Sequence, residues 1–157
     1  MLKNNIIILG HTSFIGSNLF NHFKNKNKYK VNGFNSKTLN LKKKSEINNL
    51  NNYINSNSII IILSANKKQK GAGINVLKDN FKMYYNLFEY LKNNIPRQII
   101  FVSSQVVFGE NVNNLKTREN TKNIANSYYG LSKIIAENLI KITFKNNLKK
   151  FIVLRMP

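Results

Sequence analysis

Short apolar runs along the chain alternate with segments in which apolar residues recur every three or four positions. The runs at 6–9 and 58–63 are continuous and rich in isoleucine, which is typical of strands buried on both faces. The spacing between the runs predicts amphipathic helices. The predicted strands cover residues 6–9, 29–34, 58–63, 98–102 and 151–154. The predicted helices centre on residues 15–23, 47–54, 77–91 and 127–144, the third ending near Pro96.

This order of elements predicts an α/β fold. Strands that alternate with helices form right-handed crossovers and a parallel sheet that is covered on both faces. We therefore expect one Rossmann-like, doubly wound domain over residues 1–157, because this length suits one domain. The weakest strand is 29–34, where the Asn32-Gly33 pair argues against extended structure. Ligands of such sheets bind at the carboxyl ends of the strands, so residues that directly follow strands are candidates for the site.

Composition changes this picture only slightly. The chain has 25 basic and 6 acidic residues, a balance of +19 that first suggests nucleic acid or an anionic membrane. However, arginine occurs only at 97, 118 and 155 and the lysines are scattered, so we favour a bias toward A/T-rich codons and expect no nucleic-acid partner. The absence of cysteine excludes disulfides, and two histidines with so few carboxylates predict no metal site. Neither a signal peptide nor an apolar run of roughly 20 residues is recognisable, so we expect a cytoplasmic protein without membrane contact.

The segment Gly10-His11-Thr12-Ser13-Phe14-Ile15-Gly16 lies between the first predicted strand and the first predicted helix. Gly10 permits a tight turn, and Gly16 lets the helix pack close to the sheet. The helix N-terminus then offers free N–H groups and a positive dipole to a pyrophosphate. A plain strand-to-helix turn is the competing interpretation.

Tyr129 and Lys133 are four residues apart, on one face of a predicted helix. A nearby ammonium group favours the phenolate and lowers the pKa of a tyrosine from about 10. We therefore predict that Lys133 makes Tyr129 an acid/base near neutral pH. Tyr128 is out of register, since four residues further on it meets Ser132. Taken alone, the pair is better explained by an amphipathic helix beside a surface lysine, because tyrosine and lysine are frequent in this chain.

A third segment, from Phe101 to Gly109, runs from a strand into Ser103-Ser104, then an apolar pair and an aromatic residue. Together with the phosphate loop and Tyr129-x-x-x-Lys133, it resembles the extended short-chain dehydrogenases/reductases, in the NAD-dependent epimerase/dehydratase group that modifies nucleotide-sugars. The resemblance covers essentially all 157 residues. It implies that Ser104 hydrogen-bonds the reacting oxygen, that Tyr129 is the catalytic acid/base, and that Lys133 tunes Tyr129 and binds ribose hydroxyls.

The resemblance also implies a site for NAD or NADP. Ser13 stands where the family has the middle glycine of its loop, and no acidic residue lies between Gly16 and Lys44 to bind the ribose 2′-hydroxyl of NAD. A neutral residue with a nearby cation suits a 2′-phosphate better, so we lean toward NADP. The implied cofactor-binding residues are Gly10, Ser13, Phe14, Ile15, Gly16, Asn35, Ser36, Lys37, Ser64, Ala65, Asn80, Tyr129 and Lys133.

The implied reaction is hydride transfer at a sugar carbon of a nucleotide-sugar, the step that epimerases, dehydratases and reductases share. Relatives continue with a smaller part that binds substrate, so the resemblance implies that this C-terminal part is missing here. A homodimer formed through the helices is left open. Two other functions remain, a non-catalytic NAD(P)-binding protein of the same fold and a basic nucleic-acid-binding domain. Glu137 is expected to be a surface or packing residue, and His11 a surface residue.

Overall fold

One parallel sheet organises the protein. The computed structural model describes residues 4–66, 73–109 and 117–157. The strands are β1 (Asn4–Leu9), β2 (Tyr29–Phe34), β3 (Ser58–Ile62), β4 (Gln98–Ser104) and β5 (Phe151–Met156). They lie in the order β2-β1-β3-β4-β5, and every neighbouring pair is parallel. The predicted Rossmann-like sheet is therefore confirmed.

Helices cover both faces of this sheet. They are α1 (Phe14–Lys24), α2 (Lys44–Ile47), α3 (Ile74–Asn93) and α4 (Tyr128–Thr143), with 3₁₀ helices at Asn48–Asn52, Gln105–Phe108 and Lys145–Lys150. Leu87 of α3 and Ile140 of α4 pack with Ile7 on one face. Leu19 of α1 packs with Ile8 on the other. Because successive side chains of a strand point to opposite faces, a strand covered on both sides is apolar at consecutive positions.

The order of the strands creates a crevice at the carboxyl edge. β2 lies on one side of β1, whereas β3 and β4 lie on the other. At such a reversal the loops after the two central strands diverge, and ligands of α/β sheets bind in the gap. In the described parts of the chain, no helix has both the length and the apolar character that crossing a bilayer requires.

Strand β2 and helix α2 contain residues that are unusual for these elements. The Asn32-Gly33 pair lies within β2 despite its turn-like composition, and Gly33 is in register with Ile8 of β1. The predicted helix around 47–54 is instead a short α2 that continues as the 3₁₀ helix Asn48–Asn52. Its apolar positions Ile47 and Leu50 are nevertheless buried, as the spacing required. Asparagine has a low helix propensity, which is consistent with the early end of α2.

The outer strand β5 carries apolar side chains that are only half-buried. Ile152, Val153, Leu154 and Met156 are between 38% and 43% exposed. Phe101, the β4 partner of Val153, is by contrast 0% exposed. Within the described residues β5 pairs only with β4. The core therefore ends at β4, and β5 presents an apolar edge to the surroundings.

Candidate active site

The loop after β1 turns at a glycine in the left-handed region. Gly10 has φ of 92°, and its amide donates to the Phe34 carbonyl at the end of β2 at 2.7 Å. A Cβ on Gly10 would lie 2.9 Å from the amide nitrogen of Ser64, which follows β3 closely. Ser64 and its neighbour Ala65 are partly buried. The residues that follow β1, β2 and β3 are therefore in contact at the carboxyl edge.

Ser13, which replaces the family's middle glycine, is the N-cap of α1. Its backbone is extended, and its hydroxyl accepts a hydrogen bond from the Gly16 amide at 3.1 Å. The serine is therefore compatible with the turn. The amides of Phe14 and Ile15 lie in the first turn of the helix, where no intrahelical acceptor is within reach. They are available to an anion, as the phosphate-loop interpretation requires.

The loop after β2 is an Asx turn. The side-chain oxygen of Asn35 accepts hydrogen bonds from the amides of Lys37 and Thr38 at 2.9 and 3.1 Å. An aspartate could offer a second carboxylate oxygen to a ribose diol, whereas the single side-chain oxygen of Asn35 is engaged by its own turn. Ser36 and Lys37 are exposed. The groups that remain for a ligand are the side-chain NH₂ of Asn35, the Ser36 hydroxyl and the Lys37 ammonium, since the backbone N–H of Asn35 donates to the Thr38 hydroxyl.

His11 is half-buried and packs within the loop, so it is less exposed than the expected surface histidine. Its ring centre lies 5.4 Å from that of Phe20, on α1. A Cβ on Gly33 would lie 2.6 Å from the imidazole, so the absence of a side chain in β2 makes room for the ring. The Nδ1 atom is buried without a hydrogen-bond partner. The imidazole thus fills the space between β2 and α1.

Tyr129 and Lys133 both lie in the N-terminal half of α4, as predicted. Lys133 is 2% exposed, and its Nζ donates to the Val102 carbonyl at 2.8 Å. The same Nζ lies 5.7 Å from the centre of the Tyr129 ring. It also lies 4.8 Å from the ring centre of Phe101 and 5.4 Å from that of Tyr84. Aromatic faces at these distances stabilise a buried ammonium.

The pKa of Tyr129 in this structure is shifted in the direction opposite to that expected from Lys133. Burial raises the pKa of Tyr129 above its ordinary value of 10.0, because the phenolate loses hydration. The Lys133 ammonium is bonded to the Val102 carbonyl. Tyr129 is consequently a neutral phenol across the physiological range, and this form can donate a proton.

Ser104 ends β4 at the same edge and is 8% exposed. Its hydroxyl accepts from the Val106 amide at 3.4 Å, capping the 3₁₀ helix Gln105–Phe108. A Cβ on Gly130 would lie 2.9 Å from the Val106 carbonyl oxygen. The first turn of α4 therefore packs against the turn that follows Ser104. The fold thus brings the Ser104 and Tyr129 segments together although they are distant in sequence.

Asn80 is fully buried in α3 and binds protein groups with both polar atoms of its side chain. Its Oδ1 accepts from the Asn66 amide at 2.7 Å, and its Nδ2 donates to the Asn66 carbonyl at 3.1 Å and to the Ser132 hydroxyl at 3.0 Å. Ser132 in turn donates to the Tyr129 carbonyl at 2.7 Å. Asn80 therefore connects the segment after β3 with the first turn of α4. The sequence did not reveal this positioning role, because it depends on contacts with other elements.

A buried ion pair behind Ser104 was also missed. Glu137 of α4 is 3% exposed and pairs with Arg155 of β5 at 2.7 Å. Hydrogen bonding to this carboxylate raises the pKa of the Arg155 guanidinium. Glu137 is therefore not a surface residue. The pair was missed because no spacing rule in the sequence joins residues on different elements.

These features fit a dinucleotide. Free amides at the start of α1 suit the diphosphate, the Asn35 turn suits the adenosine ribose, and Ser104 and Tyr129 suit a reacting hydroxyl or ketone. Among the residues that the structure describes, no three histidine, cysteine, aspartate or glutamate side chains are grouped to hold a metal ion. The chemistry that this edge can support is proton transfer beside a bound cofactor.

Comparisons with known proteins agree with this fold. A model of the NAD dependent epimerase/dehydratase family matches residues 6–157. A search of curated protein sequences found no match. The GalE-like L-threonine dehydrogenase from Cupriavidus necator superposes with a TM-score of 0.82 at 18% identity, covering 96% of this chain and 53% of that one.

Two further structures are complexes with different cofactors. The UDP-glucose 4-epimerase from Thermus thermophilus in complex with NAD has a TM-score of 0.81 at 15% identity, covering 96% of this chain and 54% of that one. The dTDP-4-dehydrorhamnose reductase from Bacillus anthracis in complex with NADP has a TM-score of 0.75 at 19% identity, covering 99% of this chain and 54% of that one.

The chain therefore spans about half the length of these solved proteins. At these identities the superpositions show a shared fold. The family match is stronger, since it extends over nearly the whole sequence. The chain belongs to the NAD dependent epimerase/dehydratase family.

Proposed function

We propose that residues 1–157 form the NAD(P)-binding domain of an enzyme that transfers hydride at a sugar carbon of a nucleotide-sugar. The observation that carries this proposal is the packing of α4 against the end of β4. It puts Tyr129 and Lys133 beside the Ser104 turn, at the edge that also holds the glycine loop. The bound cofactor would supply or accept the hydride, and the protein would supply the proton and the binding energy.

Each residue of the set has a proposed role that its surroundings support. Tyr129, as the neutral phenol, would donate a proton to a ketone oxygen that becomes an alcohol; in the reverse direction the Tyr129 phenolate would receive the alcohol proton. The Ser104 hydroxyl would hydrogen-bond the same oxygen. Lys133 would bind ribose hydroxyls, exchanging its present bond to the Val102 carbonyl. The buried surroundings of Lys133 strengthen each of these interactions by excluding water.

We further propose that the cofactor is NADP. The Asx turn supports this choice, because it occupies the one side-chain oxygen with which Asn35 could accept from a ribose diol. The side-chain NH₂ of Asn35 and the Lys37 ammonium are hydrogen-bond donors, which suit a 2′-phosphate.

NADPH is therefore expected to bind more tightly than NADH, and Lys37→Ala is expected to weaken NADPH binding by about tenfold, the value of one charge-assisted hydrogen bond. Nicotinamide fluorescence during titration measures both constants. Lys30→Ala, at the opposite end of β2, is the matched control and should leave both unchanged. Tighter binding of NADH would reverse the choice of cofactor. If the folded protein shows saturable binding of neither NADPH nor NADH, the proposed function is excluded.

We also propose a homodimer through α3 and α4, whose outward faces carry apolar residues. Ile74, Phe81 and Tyr85 on α3 are 61%, 42% and 41% exposed, and Leu131 and Ile142 on α4 are 39% and 77% exposed. The two helices pack side by side on one face of the sheet. Exposed apolar side chains on two neighbouring helices are typical of a protein interface.

Phe81→Lys is expected to convert this dimer to a monomer, because a charge would be buried without a partner. Sedimentation equilibrium measures the mass. Asn93→Lys adds the same charge at an exposed position of α3 and should leave the dimer intact. A monomeric wild-type protein at high salt, where lysine repulsion is screened, would exclude the interface.

Two alternatives are distinguished by the same preparations. A non-catalytic member of the family would bind the cofactor but turn over no substrate. L-threonine is a useful comparison substrate, since one structural neighbour is a threonine dehydrogenase. If the protein oxidises L-threonine but no nucleotide-sugar, the proposed substrate class would be replaced by an amino acid. The proposed roles of Tyr129 and Lys133 would stay the same. A nucleic-acid-binding domain would instead show affinity that falls steeply with salt.

A further inference from the structure

A buried network joins three structural elements directly behind the candidate catalytic residues. The Glu137 carboxylate accepts from Arg155 Nη2 at 2.7 Å, from Arg155 Nε at 3.1 Å and from the Ser103 hydroxyl at 2.6 Å. Glu137 belongs to α4, Arg155 to β5 and Ser103 to β4. We call Ser103, Glu137 and Arg155 the Glu137 clamp. Both carboxylate oxygens are bonded, so Glu137 has a fixed orientation.

Arg155 extends the clamp to the segment that leads into α4. Its Nη1 donates to the Glu119 carbonyl at 3.3 Å, and its guanidinium lies 4.8 Å from the centre of the Phe108 ring. Further along the segment, the Ile124 amide donates to the Val107 carbonyl at 2.8 Å. One side chain of the outer strand therefore touches α4, the 3₁₀ helix after Ser104 and the approach to Tyr129.

The positions of the clamp residues relate directly to the candidate catalytic set. Ser103 immediately precedes Ser104, and Glu137 lies one helical turn after Lys133. None of the three needs to touch substrate or cofactor to affect the reaction. A shift of α4 along β4 would move Tyr129 relative to Ser104, and the bidentate pair opposes this shift because guanidinium and carboxylate bond well in one arrangement only.

We propose that the Glu137 clamp is a positioning device that fixes the register of α4 against β4 and orders residues 117–127, so that Tyr129 and Ser104 converge on one oxygen. This role rests on the proposed function of those two residues. General energetics support it, since a buried ion pair adds little stability relative to apolar residues of similar volume. Its geometric specificity is therefore the property that distinguishes it from an apolar contact.

The test replaces the ion pair by apolar side chains of similar length, using the double variant Glu137→Met with Arg155→Met. Removing both charges together avoids an unpaired buried charge, so the protein is expected to fold. Amide hydrogen exchange is compared at Ile124, at Leu131, which is bonded to the Ser127 carbonyl, and at Leu63, which is bonded to the Leu9 carbonyl. Glu89→Gln on α3 is the control for loss of an exposed carboxylate.

The proposal predicts exchange about tenfold faster at Ile124 and Leu131, with Leu63 unchanged, because only the local opening becomes easier. Equal acceleration at all three amides would reveal a general loss of stability and would overturn the proposal, as would unchanged exchange at Ile124 and Leu131. This measurement requires neither cofactor nor substrate, so it remains decisive if the proposed function fails. Where wild-type turnover is measurable, the double variant is expected to lower kcat by about a hundredfold with the Kd for NADPH unchanged; an unchanged kcat would also overturn it.

Discussion

Gly16→Ala is expected to disable cofactor binding and to destabilise the fold. A Cβ at this position would lie 2.3 Å from the Gly10 carbonyl oxygen, 2.9 Å from the His11 Cα and 2.9 Å from the Ser13 hydroxyl oxygen. Two of these three atoms are backbone, so no side-chain rotation relieves the contact. Gly10 cannot retreat easily, because it packs closely against Ser64. The loop and the start of α1 must therefore separate.

We expect Gly16→Ala to lower the free energy of unfolding by about 1–3 kcal/mol, as overpacking does. Binding of NADPH should weaken by roughly a hundredfold, since the amides of the first turn of α1 would no longer face the diphosphate together. Urea denaturation and fluorescence titration measure the two effects. Gly73→Ala is the matched control, because no atom of the described residues lies within 4 Å of a Cβ there. If both variants behave alike, the close packing of the glycine loop is not what binds the cofactor.

Tyr129→Phe is expected to retain cofactor binding and lose hydride transfer. The substitution removes only the hydroxyl, so the aromatic contact with Lys133 is retained. Loss of general acid catalysis typically lowers a rate by about 10²–10⁴-fold. Single-turnover oxidation of NADPH with a keto nucleotide-sugar measures this rate, and titration checks the binding. Tyr128→Phe is the control, because Tyr128 is 41% exposed and out of register with Lys133.

The pH dependence of this reaction follows from the state of Tyr129. Burial raises the pKa of the phenol above 10.0, so the protonated form predominates at every pH below that value. Reduction consumes this proton, and its rate should therefore be level through neutral pH and fall only as the pH rises through the raised pKa. A wild-type rate from Tyr129→Phe would show that another group supplies the proton. A fall in reduction near pH 7 that depends on Tyr129 would show that Tyr129 is the donor but that its pKa during the reaction is not raised.

The central strands and the glycine loop were predictable because their signals are local. Ile7 and Ile60 are buried in a sheet that has helices on both sides, and a continuous run of isoleucines is typical of such a strand. Gly10 and Gly16 were recognisable because close backbone approach leaves few alternatives to glycine. The Tyr-x-x-x-Lys spacing likewise follows from the helix itself, so Tyr129 was recognisable as a candidate from sequence alone.

What could not be predicted depends on contacts between distant elements. Lys133 was expected to act on Tyr129, but its ammonium is bonded to the Val102 carbonyl, which is provided by a strand far away in the sequence. The pairing of Glu137 with Arg155 likewise joins α4 to β5. Gly33 appeared as a turn signal in isolation because the His11 ring that requires its small size lies in another loop. Periodicity describes one element at a time and contains no information on such pairs.

The half-buried outer strand has a consequence for how the protein behaves in concentrated solution. Among the described residues β5 pairs only with β4, so its other side offers backbone groups and half-buried apolar side chains that can template a strand of another molecule. The formal charge of +19 opposes such encounters through mutual repulsion. This repulsion extends about 30 Å at 0.01 M salt but only about 10 Å at 0.1 M. The excess of lysine therefore acts as a colloidal stabiliser, and low ionic strength is the condition under which the open edge is best protected from aggregation.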